Sequence, residues 1–204
     1  MMAEVKICGI TRGSDAQEAV SLGATAIGFV FWQESQRYVP PDVAAAITRD
    51  LPSVRTVGVF VNSSVEEVHK VADIVGLSSV QLHGDESDDI YKKLAYPVVR
   101  AIGVTGDQTI AKVERVPDDV MVLLDVDDHV QRGGTGRTVN WNVAATIAAK
   151  RRIFLAGGLG PDNIAAAIRR VRPYGIDVSS GVEASPGIKE AEKLRAFFYE
   201  MEKA

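Results

Sequence analysis

Cysteine is nearly absent from this chain: among 204 residues there is only Cys8. No internal disulfide can form, which fits a reducing compartment. Histidine is scarce too, at three residues, so a metal cluster of thiolates and imidazoles is not expected. Long apolar runs are missing, and none approaches the ~18 residues of a membrane span. Glu4 and Lys6 interrupt any secretory pattern near the start, so the expected location is the cytoplasm, without a membrane partner. A strong excess of one charge is also lacking. The net charge of −4 argues against a broad nucleic-acid surface. No Pro/Ser-rich linker or low-complexity tract breaks the chain, so residues 1–204 read as one domain.

What is present is a regular alternation. Strand-like runs begin at Val5, Ala26, Thr56, Ser79, Val98, Val120, Ile153 and Gly175. Segments of helical length lie between them. In one, "SSVEEVHKVADIVG", Val65, Val68, Val71, Ala72 and Val75 share a face. Capping-box spacing pairs Ser14 with Gln17, Ser64 with Glu67 and Thr105 with Gln108. Pro161, after "LAGGLG", suits a first helical position. Strict β–α alternation predicts parallel strands joined by crossover helices, and eight units predict a closed (β/α)8 barrel. The rival, an open doubly wound sheet, lacks a dinucleotide-type glycine motif after the first strand. Two connections are long: "WQESQRYVPP" after strand 2 and "VDDHVQRGGTGRTVN" after strand 6.

Such barrels carry their chemistry at the C-terminal ends of the strands. Cys8 falls at the end of strand 1 and Asp125 at the end of strand 6, "VMVLLD". Strand periodicity puts Lys6 with Cys8 on one face, and Met121 and Leu123 with Asp125 on another. If those faces point inward, thiol and carboxylate meet at the barrel mouth. On position alone Cys8 is equally a small buried hydrophobe, and Asp125 a loop-fixing carboxylate. Gly157 and Gly158 end strand 7, and Ser180 and Gly181 follow strand 8. Backbone N–H groups there suit a phosphate, and ordinary tight turns are the alternative. Gly134, in "GGTG", is a candidate third wall. Arg37, in "SQRY", could hold a carboxylate bidentately or be a solvated loop charge. Gln81, His83 and Asp177 are candidate pocket-lining residues. Asp127, Asp128 and His129 superficially suggest a metal, but consecutive loop residues rarely converge on one ion.

The strings "KICGITR", "GFVF", "SQRYV", "VGVFVN", "VQLHGDE", "VLLD", "GGTGRT…W", "LAGGL" and "DVSSGVE" occur in this order. In them the chain resembles the phosphoribosylanthranilate isomerase family over about residues 5–200. The resemblance implies an Amadori rearrangement of N-(5-phosphoribosyl)anthranilate to 1-(2-carboxyphenylamino)-1-deoxyribulose 5-phosphate, in tryptophan biosynthesis. It implies a phosphosugar substrate, no metal and no organic cofactor; the oligomeric state stays open between monomer and homodimer, because an apolar helix face and a dimer face look alike in sequence. By the same likeness Cys8 is the general base, Asp125 the general acid and Arg37 the partner of the anthranilate carboxylate. The "AGG" and "SSG" backbones then take the phosphate. The chemistry needs a protonated Asp125 and a deprotonated Cys8 at once. Asp125 must therefore be raised by burial or a nearby anion, and the thiol lowered. Lys6 is a candidate source of positive field or simply a structurally paired lysine. Other phosphosugar barrels fit less well: a synthase wants a catalytic lysine at a strand end, and an epimerase a cluster of metal-binding histidines and aspartates. A non-catalytic phosphosugar-binding barrel is the remaining alternative.

Overall fold

Eight parallel strands close into a barrel in chain order: β1 (Glu4–Ile7), β2 (Ala26–Val30), β3 (Arg55–Phe60), β4 (Ser79–Leu82), β5 (Val98–Val104), β6 (Met121–Val126), β7 (Ile153–Leu155) and β8 (Gly175–Val178). The computed structural model describes residues 3–51, 54–106, 108–126 and 139–204. Closure is made by β1 against β8, with Lys6 opposite Asp177 and Ile7 opposite Val178. The N–H of Cys8 extends that ladder, donating to the Val178 carbonyl at 2.8 Å. The open-sheet alternative is thereby excluded. None of the described helices is long and apolar enough to cross a membrane.

Among the described residues, seven helices pack outside: α1 (Gly13–Ser21), α2 (Pro41–Arg49), α3 (Val65–Val75), α4 (Gln108–Glu114), α5 (Trp141–Ala148), α6 (Ile164–Val171) and α7 (Ala191–Met201). Helix α3 follows the expected apolar face, burying Val68, Val71, Ala72 and Val75. Each larger side chain so buried contributes about 1.5–3 kcal/mol. Ser64 caps α3, accepting the Glu67 N–H at 3.1 Å, and Gly76 ends it in the left-handed region.

Three expected starts differ. Ser14 lies inside α1, whose first turn is held instead by Asp15, paired with Arg12 at 2.7 Å and accepting the Lys189 N–H at 2.8 Å. Helix α4 begins at Gln108, and the Thr105 N–H donates to Thr109 Oγ1 at 2.9 Å, so capping there comes from within the helix. Pro161 opens a turn ahead of α6, which starts at Ile164. Between β4 and β5 the connection is a short 3-10 helix, Asp88–Lys92, rather than an α-helix. After β8 the chain forms a hairpin, β9 (Glu183–Ser185) and β10 (Ile188–Lys189).

Among the described residues three buried clusters form, and two of them make the body of the barrel. The larger lies between strands and helices and includes Ile7, Phe29, Phe60, Leu124, Ile176 and Phe197. The smaller fills the lower barrel, with Ala101, Leu123, Phe154 and Ala156 packed against Val99, Met121 and Tyr174. Alternation along each strand sends every second residue inward. Moving up the barrel, that inner face changes from apolar to polar: Leu123 is followed by Asp125, and below Cys8 lies Lys6.

Candidate active site

Cys8, Arg37, Gln81, His83, Asp125 and Asp177 all line one cavity at the C-terminal mouth of the barrel. Gly157, Gly158 and Ser180 close another side of it, with Gly181 next in the chain. Gly134, Asp127, Asp128 and His129 lie outside the described residues. A larger cavity, about 630 Å³, opens at the opposite mouth among Val57, Met121, Leu123, Phe154 and Tyr174. Its arginines are committed: Arg55 pairs with Glu4, Arg151 donates to four backbone carbonyls, and Arg152 stacks on Tyr174. Chemistry rather than size therefore singles out the C-terminal cavity.

Asp125 is the penultimate residue of β6 and is 7% exposed. Its Oδ1 accepts the Val126 N–H at 2.7 Å, and its Oδ2 lies 3.6 Å from His83 Nε2. Burial raises its pKa from an ordinary 3.8 to about 6, outweighing the Val126 hydrogen bond. The group can thus hold a proton near neutrality, as an acid must.

Cys8 is buried, packing with Val30, Val59 and the partly buried Trp32. Burial pushes its thiol pKa up, against the opposing fields of Lys6 and Lys189. Lys6 does sit beside the sulfur, but its Nζ is 3.1 Å from Asp177 Oδ1 and donates to Gln81 Oε1 at 2.8 Å. Burial is the main reason the resting site does not deliver the expected lowering, and the Asp177 carboxylate adds to it by opposing the lysine's field at the sulfur. Burial opposes the charge on Lys6, yet Asp177 and Cys8 outweigh it and hold its pKa above the usual range. The lysine thus serves both readings at once, structural ion pair and nearby cation. Gly28 makes the arrangement possible. A Cβ there would stand 2.9 Å from both Cys8 Sγ and Lys6 Cε.

Arg37 does not present a free guanidinium. Its Nε and Nη2 donate to Glu183, the shortest contact being 2.7 Å. Glu183 also accepts from buried Lys189 at 2.8 Å. Burial works against ionised Glu183, but Arg37 and Lys189 prevail and hold its carboxyl below the usual range. Glu183 and Lys189 were not anticipated from sequence, although Glu183 closes the quoted "DVSSGVE". Nothing in the linear pattern reveals that a hairpin returns Lys189 beneath it. Trp32, two residues past the end of β2, carries no such signal in the sequence either.

The glycine loops after β7 and β8 pack backbone to backbone: a Cβ on Gly181 would lie 1.9 Å from the Leu159 carbonyl oxygen. Gly157 and Gly158 take φ of +84° and +62°, a region other residues resist. Asn163 clamps this loop, accepting the Gly160 N–H at 3.0 Å and donating to the Gly158 carbonyl at 2.8 Å. The arrangement combines a proton donor, a thiol, a fixed guanidinium and a glycine cradle around one space.

The comparisons agree with that geometry. Residues 5–200 match the family model described as N-(5'-phosphoribosyl)anthranilate isomerase. An N-(5'-phosphoribosyl)anthranilate isomerase of Pelobacter propionicus is 49% identical over 197 residues, covering 96% of this chain and 94% of that protein. The crystal structure of phosphoribosyl anthranilate isomerase from Thermotoga maritima superposes with a TM-score of 0.93 at 39% identity, covering all of both chains. Another solved isomerase, in complex with reduced 1-(o-carboxyphenylamino)-1-deoxyribulose 5-phosphate, gives 0.88 at 38% identity, again over all of both chains. The chain belongs to the N-(5'-phosphoribosyl)anthranilate isomerase family.

Proposed function

We propose that this single barrel isomerises N-(5-phosphoribosyl)anthranilate to 1-(2-carboxyphenylamino)-1-deoxyribulose 5-phosphate, with Asp125 as general acid and Cys8 as general base. It is the aldose–ketose isomerase of tryptophan biosynthesis that the family name denotes. The observation that carries the assignment of roles is the pairing of two groups in one cavity: a carboxyl raised to about 6 by burial, and a thiol at the end of β1. Asp125 gives its proton to the furanose ring oxygen as the C1–O bond breaks, leaving a carboxylate and an iminium. The cationic nitrogen acidifies the C2 hydrogen. It also adds positive charge near Cys8, opposing the burial that keeps the thiol neutral at rest. In the fraction of enzyme whose Cys8 has released its proton to solvent, the thiolate takes the C2 proton and re-forms S–H, the C2–H electron pair becomes the C1–C2 double bond and neutralises the iminium, and the enolamine tautomerises to the ketone.

Arg37 takes the anthranilate carboxylate with the edge of its guanidinium that Glu183 leaves over. Trp32 offers an apolar face to the aromatic ring. The N–H groups of Gly157, Gly158, Ser180 and Gly181 receive the phosphate. Gln81, His83 and Asp177 complete the polar wall.

The decisive measurement follows the fluorescence of the anthranilate sugar with purified protein. Cys8→Ser and Asp125→Asn should each lower kcat by orders of magnitude, roughly 10²–10⁴, with KM little changed. Near-normal turnover by either variant removes that residue from its role.

A further inference from the structure

We propose that Lys6, acting through Gln81, sets the tautomer of His83 so that the ring's Nε2–H supports the negative charge Asp125 acquires on giving up its proton. This deepens the acid assignment above and rests on it. The argument begins with a group that can only donate. An ammonium has no acceptor, so the Gln81 atom 2.8 Å from Lys6 Nζ must be the amide oxygen. That orientation aims the amide nitrogen, also a pure donor, at His83 Nδ1, 3.0 Å away. Nδ1 must then accept with its lone pair, which leaves the ring proton on Nε2. Nε2 faces Asp125 Oδ2 at 3.6 Å, while Oδ1 already holds the Val126 N–H. When ionised, Asp125 therefore has the Val126 N–H on one oxygen and the His83 ring nitrogen that carries the proton 3.6 Å from the other.

The 3.6 Å separation exceeds a hydrogen bond. It suits a partner that engages when the carboxylate forms, as catalytic hydrogen bonds commonly tighten in the substrate complex. His83 keeps its proton throughout. The Asp125 O–H bond breaks, the new O–H bond forms on the sugar oxygen, and the electron pair stays on the carboxylate. A second ring proton, on Nδ1, would confront the Gln81 amide donor against donor. His83 thus acts as a positioning donor and not as a relay. Lys6 and Gln81 come from β1 and β4, and only barrel closure joins them.

Nitrogen NMR of ¹⁵N-histidine-labelled protein tests the proposal, with the His83 signals assigned by loss in His83→Gln. Wild type should show Nδ1 bare and Nε2 protonated. Gln81→Glu places a carboxylate against Nδ1, so the ring should become protonated there, and kcat should fall about tenfold or more with KM nearly kept. His83→Gln, whose amide nitrogen reaches the Nε2 position, should retain more kcat than His83→Asn, whose amide reaches only the Nδ1 position. A wild-type ring protonated at Nδ1 overturns the proposal. So does a Gln81→Glu enzyme with unchanged tautomer and rate, or equal kcat in the two His83 variants. The tautomer is read independently of turnover. An active Asp125→Asn enzyme beside the expected ring state would instead count against the acid assignment.

Discussion

The Asp125 carboxyl carries both a cost to the fold and a use in the chemistry. Unfolded, it ionises at its ordinary 3.8; folded, at about 6. The native state therefore holds the proton more tightly. On this group's account, stability is greatest below 3.8 and declines as pH rises to about 6. The loss is on the order of 3 kcal/mol. Asn in its place keeps an oxygen for the Val126 N–H and has no charge to desolvate. Asp125→Asn should therefore melt higher than wild type at pH 7, by roughly 6–12 °C if the whole cost is relieved, while losing turnover. An unchanged or lower melting temperature would show that burial does not penalise this carboxylate. The same two groups shape the pH profile. The plot of kcat/KM should be bell-shaped, with one limb near 6 from Asp125 and an alkaline limb above the ordinary thiol range from Cys8. The acid has the lower pKa and the base the higher, so only a small fraction of enzyme is correctly protonated at any pH. Replacing Cys8 by Ser should move the alkaline limb and leave the other in place.

Arg37 shows how separate elements cooperate on one side chain. The loop after β2 returns to its own strand, with the Val39 N–H donating to the Val30 carbonyl at 3.1 Å. The β9–β10 hairpin brings Glu183 and Lys189 under it from the far end of the chain. The guanidinium is thus oriented before substrate arrives, which lowers the entropy lost on binding. Arg37→Ala should raise KM by about tenfold or more, the equivalent of a lost charge-assisted bond of ~1.5–3 kcal/mol. Glu183→Gln should raise KM less, because Arg37 remains but is less firmly held, and kcat should stay close to wild type. A fall in kcat with KM unchanged, in either variant, would mean that Arg37 acts on the reacting atoms and not on the carboxylate.

The barrel separates what keeps it folded from what it does. Its lower interior is apolar, built on Phe154 against Tyr174 with ring centroids 5.8 Å apart. The polar groups gather above, around Asp125, Lys6 and Cys8. Conservation of fold energy at one end and chemistry at the other is general to such barrels. Phe154→Ala should accordingly destabilise the protein by about 3 kcal/mol in chemical denaturation while leaving KM near wild type. A large change in KM with little loss of stability would mean that the two ends are coupled through the inner layer.

Local pattern was enough for much of this. Apolar alternation, eight times repeated with helical spacers, pointed to a parallel sheet with helices covering its strands, and pairing of β1 with β8 closes that sheet into a barrel rather than an open one. The same alternation put Cys8 and Asp125 on inward faces at strand ends, and both do line one cavity. Where local chemistry competes with tertiary contacts, the pattern misled. Ser14 carries a capping signature, yet Asp15 is drawn to the Lys189 backbone, 174 positions away, and the helix starts earlier. The charge state of the site was also beyond reach. Whether Lys6 activates Cys8 depends on Asp177, which only closure of β8 onto β1 sets beside it. Arg37 gains its partner from the hairpin, and His83 its tautomer from Lys6 by way of Gln81. Side-chain periodicity is a property of neighbours in the chain and can be read from them. Electrostatics and hydrogen-bond direction depend on distances between strands remote in sequence, and those exist only once the barrel has closed.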